Sequence, residues 1–217
     1  MRERVPSQVV MQKIIPNINP LLSENWKVPE GDRAMGVISC DHEETMLLAL
    51  DDASKKADIT VLYAQTVYEG RHYSWSRYGG EITAIITGKN VSDVSSGIRY
   101  IDDYIRRGDD LFLISGENCT MYYAQVTPHA GPFFRDRYGI AQGSAYAYLL
   151  GDPIASMYAL DHALNASQTH IAKLQRPQTR DNKAGAIVVG TEAACKTAAD
   201  VFSKVVEQIA RRPLMYQ

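Results

Sequence analysis

The side chains of this 217-residue chain best suited to chemistry are not gathered where chemistry would need them. Five histidines stand at 42, 72, 129, 162 and 170, and the eight positions between His162 and His170 do not by themselves make a metal pair. Cys40, Cys119 and Cys195 form no C-x-x-C pair, so neither a disulfide framework nor a zinc ribbon is indicated. Cys195 falls near the start of a helical pattern, where a dipole can lower a thiol pKa, although helix packing explains the same position. The chain contains no G-x-S-x-G, no G-x-x-x-x-G-K-[ST], no H-E-x-x-H and no glycine-rich dinucleotide turn. Asp41 with Glu44 three positions on reads as a variant capping box.

Two segments remain conspicuous. "EGRHYSWSRYGG", Glu69 to Gly80, packs Arg71, His72, Tyr73, Trp75, Arg77 and Tyr78 into one stretch closed by two glycines. "GDDLFLISGEN", Gly108 to Asn118, sets the acids Asp109 and Asp110 before an apolar centre, Phe112 and Leu113, with Ser115 and Gly116 after it. Glycines at loop ends lower the steric cost of large backbone rotations, so both segments read as loops able to move.

The elements that must hold these segments are written twice. "IPNINPLLSE" from Ile15 and "TPHAGPFFRD" from Thr127 align Pro16 with Pro128, Pro20 with Pro132 and Glu24 with Asp136, at a constant spacing of 112. Ala49, Leu50, Asp51 and Ala53 match Ala159, Leu160, Asp161 and Ala163 at a spacing of 110. "GGEITAIITG" matches "KAGAIVVG" at 102, and Arg106 and Arg107 match Arg211 and Arg212 at 105. The spacing changes only between blocks, where loops absorb insertions, so the chain reads as two copies, 1–108 and 109–217.

Each copy carries the same plan. Val9 to Ile15, Met35 to Ser39, Ile59 to Ala64 and Ile82 to Thr87 are short β-branched runs and predict strands. Leu50, Ala53 and Ala57, and then Val91, Val94, Ile98, Ile101 and Ile105, recur at helical spacing. The second copy repeats this with strands at Met121 to Val126, Tyr146 to Leu150, Gln168 to Leu174 and Ala186 to Val189, and helices near Ile154 to Asn165 and Glu192 to Arg211. Strands that follow one another without a helix between them pair antiparallel, so the fold class is α+β rather than a parallel dinucleotide-binding sheet. Two copies of one surface can reuse one interface, which predicts a closed ring. A formal net charge of -2 gives no electrostatic case for nucleic acid, and no stretch approaches the roughly 20 apolar residues of a membrane span. The expectation is a soluble intracellular protein.

"ISCDHEETMLLALDDASKKADITVLYAQTVYEG", "GGEITAIITG", "YALDHALNASQTHIAKL" and "GTEAACKTAADVFSKVVEQIARRP" resemble the tandem-domain shell proteins of bacterial microcompartments, most closely the ethanolamine-utilisation large shell proteins. The resemblance covers nearly the whole chain. It implies two circularly permuted microcompartment domains of ferredoxin-like α/β sandwich type and a homotrimer that imitates a hexamer. Such a trimer tiles a shell in the cytoplasm beside other shell proteins, and passes small metabolites through a gated central pore. It implies no enzyme activity and no cofactor. Arg71, His72, Tyr73, Trp75, Arg77, Tyr78, Asp109, Asp110, Phe112, Leu113, Ser115 and Gly116 would then border the pore. Threefold repetition would oppose guanidiniums to carboxylates there, but a pair about 10 Å apart in water is worth only about 0.4 kcal/mol, so charge would bias traffic rather than bar it. The resemblance also places Glu43, Glu44 and Glu81 in an acidic patch able to hold a small amine, while a helix dipole alone favours acids at the first two. The competing expectations are a trimeric small-molecule sensor of ferredoxin-like fold and an enzyme whose site gathers His129 or Cys195 with carboxylates between the copies.

Overall fold

The structure, a computed structural model, describes residues 2–66, 81–108, 111–114, 120–177 and 183–214. Along the chain run β1 (Arg2–Val5), β2 (Val9–Ile15), α1 (Pro20–Trp26), β3 (Ala34–Cys40), α2 (Glu43–Ser54), β4 (Thr60–Thr66), β5 (Ile82–Gly88) and α3 (Val91–Arg107). They are followed by β6 (Leu111–Ile114), β7 (Thr120–Thr127), α4 (Pro132–Tyr138), β8 (Ala145–Gly151), α5 (Pro153–Ala166), β9 (His170–Gln175), β10 (Ala184–Gly190) and α6 (Glu192–Arg211). Two compact units result: an N-terminal one of Ser7–Asp109 with Gly131–Phe133, and a C-terminal one of Met1–Pro6, Asp110–Ala130 and Phe134–Gln217.

The N-terminal unit has a four-stranded sheet ordered β2-β3-β5-β4, antiparallel throughout. Side chains alternate across it. Gly36 and Ile38 of β3 face α3, and a Cβ at Gly36 would come within 2.9 Å of Val94 and 3.0 Å of Ile98, so only glycine lets the helix lie this close. Met35 and Val37 point the other way and join Ile18, Leu22 and Ile85 in a second small core. On α3 the buried stripe is Val94, Gly97, Ile98, Ile101 and Ile105; Val91 instead lies exposed in the first turn. Burying those four branched side chains is worth roughly 1.5 to 3 kcal/mol each before entropy is charged against it. Asn90 caps the helix by accepting the Asp93 N–H at 3.0 Å.

The C-terminal unit repeats the sheet as β7-β8-β10-β9 and extends it by β6 and β1. Helices α5 and α6 pack together over it, with Phe202, Val206, Ala159 and Leu160 at the centre of its core. Thr191 caps α6 as Asn90 caps α3. The α+β class and both sets of strands and helices are therefore as the sequence implies.

Four differences have physical causes. The centre of "GDDLFLISGEN", read as a loop, is strand β6: Leu111–Ile114 lies between β1 and β7 with ladders on both sides, which satisfies its backbone and buries Leu113. Strand β1 was not foreseen, because "RERV" is a strand only through that pairing. Helix α2 stops at Ser54, so Ala57 lies beyond it. The Asp41–Glu44 capping box does not form. His42 occupies the N-cap without a side-chain cap bond, and the Asp41 carboxylate instead accepts the Gln8 N–H at 2.9 Å.

Candidate functional site

The end of β3 and the first turn of α2 gather a cluster of buried polar groups in the N-terminal unit. Strand alternation turns Ser39 away from the face that Ile38 and Cys40 take. The chain then bends through Asp41 and His42 into the helix, while Glu81 arrives at the start of the neighbouring β5. Asp41, His42, Glu44, Thr45 and Glu81 are all buried, and Glu43 is half-buried. Ser7 crosses over them: its Oγ lies 2.6 Å from His42 Nδ1 and donates to Thr45 Oγ1 at 3.0 Å. Thr66 Oγ1 donates to Glu43 Oε2.

Glu81 is the group in an unusual state. Burial raises its carboxyl pKa above the ordinary value, a hydrogen bond from Ser39 works against that, and the Asp41 charge adds to it. Its Oε2 is buried and finds no hydrogen-bond partner among the described residues. Nor, among those residues, does any lysine or arginine form a salt bridge to Asp41 or Glu81. Carboxylates such as these two, held close together, can accept N–H donors from a small cation.

The structure buries Glu44 at the start of α2 and Glu81 at the start of β5, with Glu43 half-buried and bonded to Thr66; Asp41 and Ser39 act on Glu81, and Ser7 on His42 and Thr45, none of which the sequence reading assigned to an acidic patch. A lone histidine and two scattered serines carry no spacing signal. Arg71, His72, Tyr73, Trp75, Arg77, Tyr78, Asp109, Asp110, Ser115 and Gly116 lie outside the described residues. Phe112 and Leu113 are in β6, where the Phe112 ring packs at 5.4 Å from that of Tyr122.

Other chemistry recedes. Cys195 belongs to the core of the C-terminal unit and Cys40 is fully buried; burial pushes both thiols above their ordinary pKa, the reverse of an activated nucleophile. Among the described residues no group of three His, Cys, Asp or Glu side chains is placed to hold a metal ion, and no helix is long and apolar enough to cross a membrane. A shallow cleft of about 470 Å³ is lined by Lys56, Tyr100, Asp103, Arg106 and Arg107. Its cations already face carboxylates: Lys56 and Arg107 meet Asp52 at 2.5 and 3.7 Å, and Arg106 meets Asp102 at 2.7 Å.

Two like antiparallel α+β units in one chain define the class of protein by its fold, and comparison with known proteins makes it specific. Residues 34–116 match the BMC domain. Over 206 residues, 95% of this chain and 95% of that protein, the sequence is 33% identical to the bacterial microcompartment shell protein EutL of Clostridium perfringens (strain 13 / Type A). It is 29% identical over 95% of its length to that of Escherichia coli (strain K12), 94% of which is covered. The chain belongs to the bacterial microcompartment shell protein family, and is a structural shell component of the EutL type. The crystal structure of ethanolamine utilization protein EutL from Leptotrichia buccalis C-1013-b superposes with a TM-score of 0.91 at 29% identity, covering 99% of both chains. EutL from Clostridium perfringens does so at 0.91 and 32%, covering 99% of this chain and 98% of that one. EtuB from Clostridium kluyveri, at 18% identity and a TM-score of 0.80 over 92% of this chain and 87% of that one, shares the fold.

Proposed function

We propose that this chain is a trimeric tile of a microcompartment shell in the cytoplasm, two lobes per subunit closing into a pseudohexamer around a central passage for small metabolites, with other shell proteins at its edges. The observation that carries the reading is the duplicated unit, β2-β3-β5-β4 repeated as β7-β8-β10-β9, in a chain matched along 95% of its length by shell proteins. Two copies of one fold per subunit need only a threefold axis to give six alike positions.

The residues assigned to the passage on sequence grounds remain its candidates in this reading. The acidic cluster of Glu43, Glu44 and Glu81 with Asp41 is a site for a small primary amine, and ethanolamine, named by the relatives' structures, is the first to try. No step of bond making is assigned, and no cofactor.

Sedimentation equilibrium tests the assembly: the expected mass is three times 24.1 kDa, and a monomer at every concentration contradicts it. Titration calorimetry tests the site. Ethanolamine binds and ethanol does not, and Glu81→Gln removes the binding; equal behaviour of both ligands means the cluster is structural only.

A further inference from the structure

Two carboxyl groups of the N-terminal unit stand close enough for the charge of one to act on the other, and they are unequally supplied with donors. Asp41 Oδ1 accepts the Gln8 N–H at 2.9 Å, with the Cys40 thiol a weak second donor at 3.7 Å. Glu81 is 4% exposed and has a hydrogen bond from the Ser39 hydroxyl, while its Oε2 is buried without a hydrogen-bond partner. Among the described residues no lysine, arginine or histidine is found with the groups that act on the Glu81 carboxyl.

A carboxylate taken out of water without a counter-charge is costly, and two carboxyls in one such corner hold a proton between them more readily than both ionise. The backbone donor favours the charged form of Asp41, so the proton falls to Glu81, the acid with fewer donors. The remaining titratable groups of the corner sit on β3 and α2. His42 and Glu44 are buried in the first turn of α2, with His42 Nδ1 2.6 Å from Ser7 Oγ. Glu43 is half-buried and accepts its bond from Thr66 on β4. Burial keeps the Cys40 thiol neutral by pushing its pKa up.

Resting on the amine reading above and adding its regulation, we infer that a small primary ammonium ion enters this corner in exchange for a proton held by Glu81. The carboxyl O–H breaks, its proton passes to water, and the carboxylate left behind accepts N–H bonds from the ammonium; charge balances, no electron changes hands and no co-reactant is needed. Acid therefore competes with the amine. One proton displaced per ligand makes affinity climb with pH, by at most about tenfold per unit, and level off where the empty site has already ionised. That range lies above the ordinary glutamate value of 4.5, because the empty site keeps its proton past it. A tile carrying this site releases its amine as its surroundings turn acid.

Calorimetric titration of the full chain with ethanolamine, repeated in two buffers of unlike ionisation enthalpy between about pH 5 and about pH 8, counts the protons exchanged. Up to one proton should leave per amine at the acid end and none at the alkaline end, while affinity rises and then levels. Difference infrared spectra on adding ethanolamine should lose a protonated-carboxyl band and gain carboxylate bands. His42→Gln should keep the release, since the proton comes from a carboxyl. Binding of constant affinity with no proton released across the range would overturn the inference and leave the amine site standing. Release accompanied by imidazole bands alone would assign the proton to His42 and overturn it equally. The spectra are read on the unaltered chain, so they decide even if His42→Gln does not fold. No binding at any pH removes the amine site and, with it, the proton exchange.

Discussion

The first turn of α2 and the first turn of α5 occupy equivalent places in the two units, yet they do opposite things with charge. At the start of α2 stand Asp41, His42 and Glu44, with Glu81 beside them. The equivalent positions in the C-terminal unit are Gly151, Asp152, Ile154 and Lys183. The second place holds one half-buried acid whose charge is partly answered: Asp152 accepts the Met121 N–H at 3.2 Å, and Thr120 and the buried Lys183 offset part of the effect of burial, which raises its pKa. In the first place acids accumulate, and the Oε2 of Glu81 finds no hydrogen-bond partner among the described residues. The framework residues of the two units match while this corner differs: one helix start holds a single acid beside Lys183, the other holds several acids.

Matched framework positions should break alike, and this is the largest effect expected. Leu50→Ala and Leu160→Ala each leave a cavity under a helix and should each cost about 2 to 5 kcal/mol in chemical denaturation. Costs differing by more than about 2 kcal/mol would mean that the units no longer share one packing scheme.

The acidic corners should break with the same sign and different size. Glu81 has its pKa raised in the folded state, so its contribution to stability is fully present below the ordinary value of 4.5 and is lost as pH rises through the folded value. Glu81→Gln should therefore raise the thermal midpoint at pH 7 to 8 by a few degrees, roughly 2 to 4 °C for each kcal/mol relieved, with the gain vanishing near pH 4. Asp152, whose pKa is raised as well, should respond to Asp152→Asn with the same sign at pH 7 but by less, because the Met121 N–H, Thr120 and Lys183 already offset part of its burial. Thermal melts of both variants across pH check the shared sign, and a larger gain from Asp152→Asn than from Glu81→Gln would reverse the order expected. The smallest effect belongs to the shallow cleft, where Arg106→Ala should change stability by less than about 0.5 kcal/mol because its pair with Asp102 is solvated.

The duplication was legible because it is written in core and turn residues. Pro20 and Pro132 open α1 and α4, and Leu50 and Leu160 are both buried, so register survived where side chains face inward. Strand β1 was illegible, since three of the four residues of "RERV" are charged and its pairing with β6 is invisible until the fold exists. Strand β6 was hidden for the same reason, its glycine flanks suggesting a loop. The acidic cluster was half legible. Glu44 and Glu81 were named from resemblance, but Asp41 was mistaken for a helix cap because its true partner, the Gln8 backbone, is 33 positions away in sequence. Local spacing cannot report a contact of that range.

The account turns on whether three copies of this doubled unit form one flat tile of a shell. Electron microscopy of the purified protein at high concentration tests this directly. Hexagonally packed layers whose repeating particle has threefold symmetry and a central opening are the expected result; discrete particles at every concentration, or layers built from a particle without a threefold axis, would contradict it.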